Sequence, residues 1–185
     1  MFVEGDKTEE DYLTYWWRIH RTNVTVTFGD VRGTPRTLID AAVDAKRHDA
    51  RNARRGGGAP FDEVWCVCDV DDPPFMHEIR PIAHANDIHL AISNPCIELW
   101  LLLHFEPQTA YLKRRDAQSR AKGHLKCEKA LTNDALASLE ARLARATERA
   151  KGLDDKHDGD GSPLGHNPSS RMWEIVDSIR NAGSP

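Results

Sequence analysis

The chain has 185 residues, with 25 Lys and Arg against 29 Asp and Glu, a formal net charge of −4 and 39% hydrophobic residues. This length predicts one domain, residues 1–185, because a single core usually serves about 150 residues. The composition excludes a disordered, collagen-like or fibrous chain. The longest apolar stretch, 99–103, is far shorter than the ~20 residues that cross a bilayer, so no membrane segment is expected.

The N-terminus and the cysteines both favour a cytoplasmic protein. The first six residues lack the basic start and the apolar core of a secretory signal. Four cysteines in a chain of this length make no dense disulfide framework, and we expect them to be reduced thiols. The histidines and cysteines also lack the spacing of a structural zinc site.

The first third of the chain alternates strand and helix patterns. Residues 1–3 form a strand stub, and the Thr8 hydroxyl, followed by three acids, predicts the cap of a helix. Residues 23–28 alternate and are rich in β-branched side chains, which predicts a strand. Thr34 and the proline after it then open a second helix, which ends at the glycines 56–58.

The middle of the chain continues this alternation. The apolar run 64–68 predicts a strand buried on both faces. A helix over 75–85 leads to a strand over 88–92, and residues 97–105 form a helix apolar nearly all round, hence deep in the core. Strands that alternate with helices predict a mainly parallel α/β sheet, which we assign to residues 1–106.

The C-terminal part, 107–185, is predicted to consist of helices and loops. An amphipathic helix follows a cap at Asn133 and carries its apolar stripe as far as Ala146. Residues 152–168 are rich in Gly and Asp and predict a mobile loop. A last amphipathic helix follows residues 169–170.

Acidic residues follow the predicted strands, where the working sites of parallel sheets lie. Glu4 follows the first strand, and Asp69 and Asp71, which follow 64–68, would project to the same side of an extended chain. Asp72 adds a third acid. Neighbouring carboxylates repel, and a hard divalent cation such as Mg²⁺ is the simplest compensation. The alternative for this segment is a surface turn, in which Asp is a common residue.

Basic residues gather in two runs, which suggests a nucleic-acid backbone as partner despite the negative total charge. The first run is Lys46, Arg47, Arg51, Arg54 and Arg55, and the second is Lys113, Arg114, Arg115, Arg120, Lys122 and Lys126. The candidates for phosphate contacts are Lys7, Lys113, Arg114, Arg115, Lys122 and Lys126. The alternative is that both runs are ordinary solvated faces.

Four segments together resemble the RloB family. They are VEGDKTE at 3–9, CDVDD at 68–72, SNPCIELWLLLHF at 93–105 and NPSS at 167–170, in the order of that family. The third is the most specific, although Ile97 stands where the family usually has Phe. Because RloB proteins resemble Toprim domains, the expected fold is a Toprim-like, Rossmannoid sheet, mainly parallel and flanked by helices, with additional C-terminal helices.

The resemblance implies a nuclease that depends on Mg²⁺ or Mn²⁺ and acts in bacterial anti-phage defence, often beside an ATPase partner. Its substrate would be DNA or RNA, tRNA included. The implied catalytic carboxylates are Glu4, Asp69 and Asp71. Asp69 and Asp71 would hold the metal, and Glu4 would complete a second metal site or act as general base. Asp72 is a further ligand candidate, and Glu98 is either a ligand or an acid stabilised at a helix N-terminus.

Two other classes of function stay open at this point. The acids could hold Mg²⁺ only to bind a nucleotide or dock an ATPase partner, or they could serve nucleotidyl transfer. An intrinsic ATPase is disfavoured because the glycines at 56–58 lack the Lys and Ser or Thr of a P-loop. Trp16, Trp65 and Trp100 fall on predicted core faces, which leaves Trp17 and Trp173 as candidates for base stacking.

Overall fold

A computed structural model describes residues 1–5, 7–21, 24–70, 73–128, 130–163 and 165–182, without the side chains of 73–76. Within these residues the chain alternates strands and helices and then continues mainly as helices. The strands are β1 (Phe2–Val3), β2 (Trp65–Asp69), β3 (His89–Asn94) and β4 (Ser169–Ser170). The helices are α1 (Thr8–His20), α2 (Pro35–Arg54), α3 (Pro73–Ala85), α4 (Ile97–Leu103), α5 (Arg114–Leu125), α6 (Asn133–Glu140), α7 (Leu143–Asp160) and α8 (Met172–Asn181).

The sheet has the order β1-β2-β3-β4 and confirms the mainly parallel arrangement. Phe2 aligns with Cys66 and Asp69 aligns with Ser93 in the parallel pairs, so β1, β2 and β3 end at one edge. β4 runs antiparallel to β3, with Ser170 opposite Ser93. The sequence did not predict β4, because two serines show no strand periodicity.

Alternate side chains of β2 face two separate cores. Trp65 and Val67 point into the larger core, which is shared with α1 and with α4 to α8. Cys66 and Cys68 point into the smaller core, shared with α2 and α3. Asp69 is two residues beyond Val67, so the pleat places it on the face of α1 and α4.

The predicted central helix is confirmed as α4, in which Trp100 is fully buried and Leu99 and Leu101 to Leu103 are at most 1% exposed. Its all-round apolar surface fits a position between the sheet, α5 and α7. Trp16 and Trp65 are also buried, as their spacing predicts. All four cysteines are free thiols. None of the described helices is long and apolar enough to cross a membrane.

The strand predicted over 23–28 is wrong for residues 24–28, which have no regular structure, and Asn23 lies outside the described residues. The segment still runs beside β1: the Met1 amino group donates to the Thr27 carbonyl at 2.6 Å, and the Gly29 N–H donates to the Met1 carbonyl at 2.8 Å. These two bonds are those of one parallel bridge. With only two residues in β1, the pairing does not extend into a ladder.

The predicted N-cap residues of α1 and α6 are each wrong by one position. Thr8 is the first helical residue of α1, and Lys7 precedes it without a side-chain capping bond. At α6 the hydroxyl of Thr132, not the Asn133 side chain, accepts a hydrogen bond from the Ala135 N–H at 3.2 Å.

The C-terminal helices differ from the prediction in three respects. The second basic run forms α5, which its weak apolar pattern did not predict. The single helix expected through Ala146 is interrupted between α6 and α7. The loop predicted over 152–168 is wrong up to Asp160, because Leu153 and His157 bury their side chains and carry α7 through its glycines.

His104 makes the stability of this core depend on pH. Its ring bonds the Trp100 carbonyl at 2.9 Å, and burial lowers the pKa of His104 from 6.5 to about 4. Between these values the unfolded chain binds more protons, so the free energy of unfolding should fall on acidification by about 1 kcal/mol per pH unit. Urea unfolding at several pH values should show a shallower dependence in His104→Gln. Equal dependence in both proteins would contradict this origin.

Candidate functional site

Glu4 and Asp69 meet at the edge where the parallel strands end. Glu4 directly follows β1, and its backbone N–H donates to the Val67 carbonyl at 3.1 Å. Its side-chain Oε2 accepts a hydrogen bond from the Asp69 N–H at 3.0 Å. The Glu4 carboxylate and the Asp69 backbone, predicted to lie at the ends of neighbouring strands, are therefore linked by a hydrogen bond.

Asp69 is held from two further directions. It is only 8% exposed, and its Oδ1 accepts the Ile97 N–H at the start of α4 at 2.9 Å. Its Oδ2 lies 3.2 Å from Nη1 of Arg114, whose Nη2 donates to the Pro95 carbonyl at 3.1 Å. The carboxylate is thus fixed between the beginnings of α4 and α5.

Glu9 is a further member of this site, although its position in the sequence predicts only an acid in the first turn of α1. Its side chain is 7% exposed, and its carboxylate lies over Gly5. A Cβ at residue 5 would come within 2.7 Å of the Glu9 carboxyl carbon, so a side chain there would displace the carboxylate. The sequence signal was its place in the VEGDKTE segment, as the last residue of that segment.

Glu98 lies in the first turn of α4, on the same face of the sheet. It acts electrostatically on Cys96, Glu9 and Asp69. The fold therefore brings together Glu4, Glu9, Asp69 and Glu98, which we call the carboxylate cluster.

Burial and mutual repulsion disfavour negative charge on Asp69 and Glu9, two members of the cluster. Burial raises the pKa of Asp69 well above its usual range, and Glu9, Glu4 and Glu98 raise it further. Arg114 opposes this shift. Burial likewise raises the pKa of Glu9, with smaller contributions from Glu98 and Glu4, against hydrogen bonds from the backbone of Glu9 and Gly5. A cation at this edge would relieve the repulsion.

The donor chemistry of the cluster suits a hard divalent cation, since Mg²⁺ and Mn²⁺ prefer carboxylate oxygens. Among the residues that the structure describes, no group of three or more His, Cys, Asp or Glu is already arranged around one ion position. The candidates Asp71 and Asp72 lie outside the described residues. The cluster thus supplies suitable oxygens, although the described ones are not preassembled as a three-ligand set.

The predicted phosphate-binding residues are dispersed around the cluster. Arg114 contacts Asp69, while Lys113 and Arg115, its neighbours at the start of α5, are exposed. Lys7 is exposed just before α1. Lys122 forms an ion pair with Glu128, and Lys126 follows the last residue of α5, about 18 Å along the helix from Arg114. Arg114, Lys113 and Arg115 are therefore best placed to reach a phosphate at the cluster.

The first basic run lies at the opposite end of the sheet. Lys46 bonds Asp87 and Arg47 bonds Asn86, immediately before β3 begins. The two tryptophans considered for stacking are also engaged: Trp17 donates to the Val24 carbonyl at 3.1 Å, and the Trp173 ring carries the Lys151 ammonium 4.2 Å from its centroid. Neither feature belongs to the carboxylate cluster.

Removal of the Glu9 charge should stabilise the metal-free protein. Because the pKa of Glu9 is raised in the folded state, its contribution to stability is lost as pH rises above about 4.5. In EDTA at pH 7.5, Glu9→Gln should raise Tm by about 2–4 °C, and the gain should vanish at pH 4. Differential scanning fluorimetry measures this, with exposed Glu148→Gln as control. A lower Tm for Glu9→Gln at pH 7.5 would contradict the prediction.

Comparison with known proteins gives one match, to a protein family. A search of curated proteins and a search of solved structures each gave no match. The model of the RloB family, described as RloB-like protein, matches residues 1–179, and the resemblance of the four segments is thereby confirmed. This chain belongs to the RloB-like protein family.

Proposed function

We propose that this protein is a nuclease that depends on Mg²⁺ or Mn²⁺ and cleaves phosphodiester bonds in DNA or RNA. The observation that carries the proposal is the junction of Glu4 and Asp69 at the carboxyl edge of a parallel sheet, with Glu9 and Glu98 beside it. Clustered carboxylates at such an edge suit divalent-ion chemistry on phosphates. Arg114 adds a cation next to them.

A Toprim-like fold is part of the proposal. In support of it, a glutamate follows β1 and an aspartate ends β2, its neighbour in the sheet. Both acids lie on the edge where β1, β2 and β3 terminate. This is the arrangement that the family resemblance implies for a Toprim domain.

Asp69 would hold the divalent cation, with Asp71 as a further ligand proposed from the sequence. Glu4 would either complete a second metal site or act as general base. When bound, Mg²⁺ or Mn²⁺ supplies a Lewis acid that stabilises negative charge on the phosphate and the leaving oxygen. The chain itself orients the ligands: the Asp69 N–H fixes Glu4 Oε2, and the Ile97 N–H fixes Asp69 Oδ1.

In the second of these roles, Glu4 is the general base. Its carboxylate would take one proton from the attacking water as the water oxygen bonds to phosphorus. The bond from phosphorus to the departing sugar oxygen breaks, and that oxygen takes a proton from solvent. Arg114 would contact a non-bridging oxygen of the same phosphate, and Lys113 and Arg115 would hold the neighbouring backbone.

The biological setting rests on the family resemblance. We propose that the nuclease acts in the cytoplasm as an effector of anti-phage defence, with an ATPase as its partner.

Cleavage of end-labelled substrates tests the proposal. Single-stranded DNA, duplex DNA, single-stranded RNA and tRNA are incubated with Mg²⁺ or with Mn²⁺, in the absence of nucleoside triphosphates. We expect cleavage of at least one substrate and its complete loss in EDTA. Cleavage that persists in EDTA would contradict the metal requirement, and a reaction seen only with nucleoside triphosphates would favour nucleotidyl transfer. No cleavage of any substrate would contradict the nuclease.

A further inference from the structure

Tyr111 is the most exposed large hydrophobic side chain of the described residues, at 72%. It lies in the connection between α4 and α5, three residues before Arg114. An aromatic ring that packs against so little of its own chain presents its faces to a binding partner.

The backbone on both sides of Tyr111 is fixed. Gln108 donates to the Ala110 carbonyl at 2.7 Å on one side. On the other side the Leu112 N–H donates to Asn167 Oδ1 at 2.8 Å, and Asn167 Nδ2 donates to the Leu112 carbonyl at 2.9 Å. The Leu112 side chain is buried. The Tyr111 ring therefore projects from a backbone segment that is already fixed. Little backbone conformational entropy is lost when the ring contacts a ligand.

The surroundings of Tyr111 suit a polyanion that carries flat, apolar groups. Lys113 and Arg115 are exposed, and Arg114 between them reaches Asp69 at 3.2 Å. The three residues from Tyr111 to Arg114 span at most about 10 Å of extended chain. A single-stranded nucleic acid whose backbone is bound by Lys113 and Arg115 can thus place one base against the Tyr111 ring. A neighbouring phosphate of the same molecule would reach the carboxylate cluster.

We propose that Tyr111 is a stacking platform for an unpaired base of a single-stranded nucleic acid, adjacent to the cleavage site. This inference rests on the proposed nuclease function and narrows its substrate class. Base faces are accessible in single strands, whereas those of a duplex are covered by their neighbours. Every base can stack on an aromatic side chain. The platform therefore distinguishes single-stranded from double-stranded nucleic acid more than it distinguishes one base from another.

Fluorescence anisotropy with labelled oligonucleotides in EDTA tests the platform without cleavage. The probes are a 12-nucleotide single-stranded DNA, the matching single-stranded RNA and a blunt 12-base-pair duplex. Tyr111→Ala should weaken binding of the single strands about tenfold and leave duplex binding within about twofold. Tyr111→Phe keeps the ring and should bind as wild type does. Phe61→Ala, which removes a ring 47% exposed at the other end of the sheet, is the matched control and should change nothing.

The outcomes separate this inference from the function on which it rests. Single strands that bind wild type and Tyr111→Ala with equal affinity would overturn the platform and leave the nuclease proposal standing. An equal loss for the duplex would overturn the preference for unpaired bases. Wild-type protein that binds none of the three probes would overturn the platform, while the cleavage assay with Mg²⁺ or Mn²⁺ decides the nuclease proposal separately.

Discussion

Asp69→Asn is expected to lower metal-dependent cleavage about 1000-fold while the sheet remains intact. The substitution keeps Oδ1, which accepts the Ile97 N–H, and changes only the charge and the oxygen that faces Arg114. A neutral amide is a poor ligand for Mg²⁺ compared with a carboxylate, and it removes one of the negative charges that attract the ion. The loss should therefore appear in both metal binding and turnover.

Cleavage of the best substrate from the panel measures the first effect, and calorimetric titration with Mn²⁺ measures the second. Asp44→Asn, an exposed acid on α2, is the matched control and should behave as wild type. Circular dichroism should be the same for all three proteins. If Asp69→Asn cleaved the substrate as fast as the wild-type protein does, Asp69 would have no catalytic role. Lost cleavage with unchanged Mn²⁺ binding would instead assign Asp69 to substrate positioning.

Three acids that the sequence predicted near the strand ends lie close together for one physical reason. Glu4 follows β1, Asp69 ends β2 and Glu98 lies in the first turn of the helix after β3. Parallel strands bring their carboxyl ends to one edge whatever the details of packing. Position along the chain therefore predicts proximity for these three. The buried strands and α4 could also be predicted from the sequence, because their continuous apolar runs do not fit an exposed element.

The contacts and elements that the sequence did not predict depend on side-chain direction or on tertiary packing. Glu9 turns back over Gly5 into the cluster, which helical spacing alone does not show. Arg114 was grouped with the other basic residues, and only the fold brings α5 against Asp69. In α7, burial of Leu153 and His157 outweighs the low helix propensity of Gly152 and Gly159.

Arg114→Gln is expected to have opposite effects on metal binding and on catalysis. In the described structure the guanidinium is 3.2 Å from Asp69 Oδ2 and partly neutralises that carboxylate. Because it competes with a divalent cation for the same negative charge, its removal should increase Mn²⁺ affinity several-fold. Cleavage should nevertheless fall about 100-fold, since a charged donor to the phosphate is lost.

The two effects are separated by titration with Mn²⁺ and by cleavage at saturating Mn²⁺. Arg114→Lys keeps the charge without the two-pronged geometry, so its metal affinity should stay near that of wild type while its cleavage is only partly restored. Exposed Arg145→Gln on α7 is the control for loss of a positive charge elsewhere. Weaker Mn²⁺ binding by Arg114→Gln would contradict the competition. In that case the bond from Arg114 to the Pro95 carbonyl would matter more, because it holds the guanidinium where it orients Asp69 as a ligand.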